Sequence, residues 1–98
     1  MAKAVMGTKT ERQLERHFKG VANHRRIAIL RLIRERDRIT VQEIADELGV
    51  NFKTISEHTR RLVQAGLVDK KYRGRSVEHK VSPYGRIFIV FIETFQHS

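Results

Sequence analysis

A mainly α-helical fold with one small β-hairpin is predicted by three features of this 98-residue chain. Apolar residues recur at helical spacing behind helix-capping residues in four successive segments. Two short strand-forming runs flank Gly74, as in a hairpin. The only proline, Pro83, directly follows Ser82 and precedes a long apolar run, the placement expected at the first position of a last helix.

Thr10 opens a T-x-x-Q capping box with Gln13, and Leu14, Phe18 and Val21 follow at helical spacing, which predicts an amphipathic helix near 11–20. Residues 1–9 before it are expected to be a flexible N-terminus. Asn23 caps a second helix, in which Ile27, Leu30 and Ile33 form one stripe and Ile29 and Leu32 widen it. That breadth marks a central helix buried on more than one side. Thr40 with Glu43 makes another capping box, followed by Val41, Ile44, Ala45 and Leu48 and closed by Gly49. Asn51 caps the next helix, so residues 49–50 are the whole connection, and helices joined this tightly cross at a large angle.

A helical wheel of about 100° per residue over 51–66 sets Phe52, Ile55, Thr59, Leu62 and Val63 on one side, with His58 and Ala65 at its margin. The other side gathers Lys53, Thr54, Ser56, Glu57, Arg60, Arg61 and Gln64. After Gly66, "LVDKKYR" and "SVEHKVS" predict a hairpin over 67–82 with Lys70, Lys71, Arg73 and Arg75 around its tip. The last segment, 83–97, contains "IFIVFI", whose residues suit a strand as well as a helix; its length decides for a helix. Tyr84, Ile87, Phe88, Ile89, Val90, Phe91, Ile92 and Phe95 then cover more than half of its circumference. Part of that arc is expected to be covered by a second copy of the chain, with deep burial inside one copy as the competing reading.

The formal charge of +9 implies a polyanionic partner, and it is unevenly spread. Residues 1–50 hold eleven Lys/Arg against seven Asp/Glu, residues 51–82 eight against three, and residues 83–98 one of each. The basic block is interleaved with Ile55, Leu62, Leu67 and Val77, so it belongs to folded structure and not to a disordered arm. There is no cysteine, which excludes disulfides and thiolate metal sites. The first residues lack the apolar core of a signal peptide, and no apolar run approaches the ~20 residues of a membrane span. The expectation is a single cytoplasmic domain spanning 1–98, with no membrane partner. No nucleophile is paired with a base by any recognisable pattern, so an enzyme is not expected, and no cofactor or metal is implied. Glu93 and His97 stand at i,i+4, but two ligands are too few for a tetrahedral site. His17 and His24 read as ordinary surface or core-edge residues.

Short helix, glycine turn, helix and basic hairpin together make a winged helix-turn-helix, here with about five helices and a two-stranded wing. The chain resembles the arsenical-resistance repressor (ArsR) family of regulators from about Phe18 to Gly85. The resemblance rests on "VANHRRIAILRLI", "ITVQEIADELGVNFKTISEHTRRLVQAGLV" and "YRGRSVEHKVSPYG". It implies a homodimer that binds double-stranded DNA, usually a palindromic operator and usually as a repressor. Helix 51–65 would enter the major groove and wing 67–82 would meet the backbone or minor groove. The resemblance implies groove-facing roles for Lys53, Thr54, Ser56, Glu57, His58 and Arg60, and wing contacts for Lys71, Arg73 and Arg75. It also implies a dimer contact from the first and last helices, here Leu14, Phe18, Tyr84, Ile87, Phe88, Phe91, Ile92 and Phe95.

The chain departs from that family at several positions. Ile44 and Ala45 lie in the stretch where family members carry inducer cysteines, so that metal response is excluded. Thr59 replaces a common leucine, His24 a common proline, and His79 an often aromatic wing residue.

In a major groove, Arg60 and Lys53 can donate to guanine, Thr54 and Ser56 can bond bases or phosphates, and Glu57 can accept from cytosine. Glu57 has an equally simple alternative, an ion pair with Arg60 or Arg61 on a solvated face. Arg61 and Gln64 read as phosphate ligands or plain surface, and His58 as a base contact or a half-buried ring. Competing functions are a winged-helix module that docks protein through "IFIVFIETF" and a nucleic-acid-binding protein without sequence preference.

Overall fold

The computed structural model describes residues 8–98; residues 1–7, most of the expected flexible N-terminus, lie outside them. Five helices and one hairpin follow in the order α1 (Glu11–Val21), α2 (His24–Glu35), α3 (Val41–Leu48), α4 (Phe52–Gln64), β1 (Val68–Arg73), β2 (Ser76–Val81) and α5 (Pro83–Gln96).

Each helix starts where a side chain satisfies the otherwise unpaired first-turn amides. The Thr10–Gln13 and Thr40–Glu43 capping boxes are both closed in both directions. Asn23 accepts from the amides of Arg25 and Arg26, Asn51 from that of Thr54, and Ser82 from that of Gly85. Gly49 ends α3 with φ of 65°, the left-handed setting that glycine adopts without penalty. The hairpin is antiparallel and pairs Val68 with Val81 through to Arg73 with Ser76, leaving Gly74 and Arg75 as the turn.

Helix α2 is the axis. It packs against the other four helices and β2, and Ile29, Leu30 and Ile33 are essentially inaccessible. Ile44 of α3, Ile55 and Leu62 of α4, Leu67, Val68 and Val81 of the wing, and Ile89 of α5 close the same core. Each such side chain contributes on the order of 1.5–3 kcal/mol by leaving water.

Two glycines set close approaches. A Cβ on Gly20 would overlap the Ala65 Cβ, so α1 and the end of α4 meet at a point that admits no side chain on α1. A Cβ on Gly85 would overlap the Leu67 carbonyl oxygen and press on Val81, which fixes the start of α5 against the root of the wing. Ser82 reinforces this junction by donating from Oγ to the Gly66 carbonyl at 2.6 Å.

Three expectations about burial need correction. Phe52, expected on the buried side of α4, is 51% exposed: it occupies the first turn, beyond the elements that cover Ile55 and Leu62. Ala65, expected at the margin, is buried because Gly20 brings α1 onto it. His17, expected at the surface or core edge, is also buried. Its Nδ1 bonds to the Ala65 carbonyl at 2.6 Å, and its ring lies 5.3 Å from that of Tyr84.

The wide apolar arc of α5 divides. Ile89 enters the core and Phe88 and Ile92 pack partly against it, while Tyr84, Ile87, Val90, Phe91 and Phe95 remain exposed. Leu14 and Phe18 of α1 are exposed too, and the Phe18 and Phe88 rings meet edge to face at 5.1 Å.

Replacing Gly85 by alanine is expected to cost about 2 kcal/mol, since the new methyl must displace backbone and not a flexible side chain. Chemical denaturation of the variant measures this, and a midpoint equal to that of the parent would contradict the packing described.

Candidate nucleic-acid interface

The inward row of α4, Ile55, Thr59, Leu62 and Ala65, is buried, which turns Lys53, Glu57, Arg60, Arg61 and Gln64 outward to solvent. Thr54, Ser56 and His58 lie half-buried on the flanks. This separation follows from helical periodicity once the inner row is seated.

Glu57 stands at the centre of the exposed strip. It accepts from Arg60 Nε at 3.2 Å and Nη2 at 2.6 Å, and from Arg61 Nε at 3.0 Å. Hydrogen bonds from Arg60 and then Arg61 hold its carboxyl below the usual range. Glu57 in turn raises Arg60 above the ordinary arginine value. The ion-pair alternative for Glu57 is thus the arrangement that the side chains adopt. All three groups are largely exposed, so the cluster contributes little to stability and its arginines stay free to exchange partners.

His58 faces α2, where Arg26 Nη1 donates to its Nδ1 at 3.3 Å. Burial, followed by the nearby charges of Arg26 and Arg25, lowers its pKa, which favours the neutral acceptor form. Arg26 also reaches the Lys19 carbonyl through Nη2 at 3.4 Å.

On the opposite flank lies the wing. Lys70, Lys71, Arg73 and Arg75 are exposed, and Arg73 Nε is 3.8 Å from Glu78 Oε2, a loose surface pair. A cavity of about 200 Å³ separates the wing from α4, with Ser56, Thr59 and Arg60 on one wall and Tyr72, Val77 and His79 on the other. The Thr59 hydroxyl is buried here without a hydrogen-bond partner among the described residues.

The angle of the wing depends on a contact that local sequence patterns do not reveal. Ile39, just before α3, forms an antiparallel bridge with His79 of β2. The backbone amides of Arg38 and His79 donate to the carbonyls of His79 and Ile39, each at 3.0 Å. His79 Nδ1 donates to the same Ile39 carbonyl at 3.0 Å, which puts the ring proton on that nitrogen. Arg38 adopts φ of 70°, a left-handed setting that costs a non-glycine residue roughly 1–2 kcal/mol, and the bridge holds it there.

Among the described residues no three His, Asp or Glu side chains gather as metal ligands. Glu93, half of the weak i,i+4 pair on α5, instead accepts from Arg34 at 2.6 Å, which draws its carboxyl below the usual range. None of the helices among these residues is long and apolar enough to cross a membrane.

The α3–glycine turn–α4 unit, followed by a two-stranded hairpin seated beside α4, decides the architecture. The fold is a winged helix-turn-helix. The family described as winged helix-turn-helix DNA-binding matches residues 23–69. Solved structures resemble this winged helix-turn-helix over nearly its whole length. One is the homodimeric winged helix-turn-helix DNA-binding domain of Mb0332 from Mycobacterium bovis, described as a possible ArsR-family transcriptional regulator. It is 26% identical, with a TM-score of 0.78, over 93% of this chain and 91% of that one. Another, HlyU from Vibrio cholerae, shares the fold at 22% identity and a TM-score of 0.79, over 92% and 98% of the two chains. The uncharacterized protein MJ0558 of Methanocaldococcus jannaschii is 41% identical over 46 residues. That match spans 47% of this chain and 18% of that protein's length.

Burial lowers the His79 pKa, outweighing the raising effect of its bond to Ile39. The unfolded chain therefore binds a proton at this residue before the folded wing does, and stability falls as pH drops through about 6.5. His58 adds to the same trend. The urea midpoint is expected to be flat above about pH 7.5 and to decline below about 6.5. His79→Gln is expected to reduce the decline, and an unchanged slope in that variant would remove His79 as its cause.

Proposed function

We propose that this chain is a sequence-specific regulator of transcription that binds double-stranded DNA as a homodimer and represses by occupying a palindromic operator. The observation that carries this reading is the outward face of α4, an amphipathic helix held so that Lys53, Arg60 and their neighbours project together beside a basic wing.

A major groove about 12 Å wide admits one helix of this kind and offers a distinct donor and acceptor pattern for each base pair. In this reading Arg60 and Lys53 donate to guanine, and Thr54 and Ser56 bond bases or nearby phosphates. Arg60 leaves Glu57 to do so, and the freed carboxylate accepts from a cytosine amine or keeps its hold on Arg61. His58, anchored by Arg26, meets the groove edge. Lys71, Arg73 and Arg75 bind phosphates or enter a narrow minor groove, as expected for guanidinium groups at a hairpin tip. No side chain is assigned a catalytic part.

The dimer contact in this reading is the apolar face left open by Leu14 and Phe18 of α1 with Tyr84, Ile87, Phe91 and Phe95 of α5. Phe88 and Ile92 line the floor of a shallow groove of about 420 Å³ on the same face. A continuous apolar face of this kind favours association in water. The Mycobacterium bovis domain of the same fold is homodimeric, which supports a second copy as the occupant here. A two-fold pair of winged helices would read two half-sites of a palindrome.

Gel-shift titration on DNA upstream of the chain's own coding sequence, with competitor and several salt concentrations, tests the reading. Equal affinity for every sequence would leave only a non-specific nucleic-acid binder. Arg60→Ala is expected to lose about 1–3 kcal/mol on the preferred sequence and to relax its preference, whereas Arg73→Ala should weaken all sequences alike and reduce the salt slope. Phe91→Glu is expected to sediment as a monomer and to bind the operator weakly. A variant that stays dimeric would move the subunit contact elsewhere.

A further inference from the structure

On the flank of α4 away from the wing, a cleft of about 280 Å³ is lined by Arg16 and Lys19 of α1, Arg26 of α2, Arg61 and Gln64 of α4, and the Gly20–Ala65 contact. Four cations line it and no carboxylate does. Lys19 pairs with Glu15 at 3.3 Å, but both side chains are well exposed, and Arg61 shares Glu57 with Arg60. Such pairs release their cations readily to a stronger anion. Arg26 is more constrained. Its Nη1 is spent on His58 and its Nη2 on the Lys19 carbonyl, while its Nε is buried with no hydrogen-bond partner among the described residues.

Four cations overhanging one cleft, with their only carboxylate partners, Glu15 and Glu57, outside its lining, are the ordinary make-up of a phosphate site. The Gly20–Ala65 contact explains why the cations converge: the helices approach closely enough that side chains rooted on three elements overhang one cleft. Glu57 organises both flanks of α4, since Arg60 lines the cavity beside the wing and Arg61 lines this cleft.

A helix with its side chains is about 10–12 Å across and fills a major groove about 12 Å wide. The elements immediately on its two sides must then meet the two phosphate backbones that border the groove. The wing meets one, and this cleft is what the fold offers to the other. We propose that Arg16, Lys19, Arg26 and Arg61 form a second phosphodiester-binding site, which clamps the DNA backbone opposite the wing; this rests on the DNA-binding reading above. Arg16 and Lys19 are its exposed, exchangeable ligands. Arg26 is a positioning residue as well, because the same guanidinium holds His58 at the edge of the reading surface.

The test compares the full chain with Arg16→Ala/Lys19→Ala by fluorescence anisotropy over a salt series. The probes are a labelled duplex from upstream of its coding sequence and a scrambled duplex of equal length. Both substitutions are at exposed positions, and a thermal melt checks the fold. Arg34→Ala/Arg86→Ala removes the same charge near the C-terminal end of α2 and serves as the control. The cleft variant is expected to weaken binding by the same factor on both duplexes. Its slope of log K against log salt should fall by about 0.9 for each phosphate that the variant leaves without a cation. The control should keep the parental slope. Ethylation interference should mark phosphates on both borders of the groove for the parent and only the wing-side border for the variant. A parent that binds while the cleft variant matches it, or matches the control, overturns the second site and leaves the DNA-binding reading standing. A parent that binds neither duplex overturns both.

Discussion

The setting of α4 on α2 is the constraint on which the other features depend. Ile55, Thr59, Leu62 and Ala65 occupy one row, and all four are buried against the core. Turning the helix about its axis by one residue would bring Glu57 or Arg61 towards apolar surroundings, where an unpaired charge costs several kcal/mol. The inner row thus holds the outer row in a single rotational position. Every relation of Lys53, Arg60 and Arg61 to the wing and to the α1–α2 cleft follows from it.

Two further contacts convert that setting into a surface. On one flank Gly20 lets α1 touch Ala65, and His17 bonds the Ala65 carbonyl, so the end of α4 is tied to α1. On the other flank the Ile39–His79 bridge ties β2 to the segment that leads into α3, and Gly85 with Ser82 anchors the wing's root to α5. The wing and α4 therefore hold a defined spacing across the cavity between them. Electrostatics is layered on this frame. The pairs around Glu57 are exposed and weak, which leaves Arg60 and Arg61 able to change partners, as the proposed DNA contact requires.

Much of this was legible because local rules govern it. Thr10, Asn23, Thr40, Asn51 and Ser82 cap the helices that were expected from them, and Gly49 and Gly74 take the positive φ values that end α3 and turn the hairpin. Capping and turn chemistry act over three or four residues, so a linear reading finds them. The Glu57 pairing was also within reach, being i,i+3 and i,i+4, and its preference over a free carboxylate needed only the side-chain geometry. The wheel failed at Phe52 because it records angle and not position along the axis, and at Ala65 because another helix covers it; His17, read as a surface or core-edge residue, is buried by contacts with Ala65 and Tyr84.

By itself the sequence determined the order and extent of the elements, the hairpin turn and the division of α4 into an apolar and a polar face. Those are matters of hydrogen-bond capping, backbone conformation and periodicity within one segment. Tertiary structure alone decided which apolar positions found cover, where the wing stands, and that Arg16, Lys19, Arg26 and Arg61 share one cleft. These depend on residues far apart in the chain, Gly20 with Ala65 and Ile39 with His79, whose meeting has no local signature. Only the closing of the core around α2 brings them together.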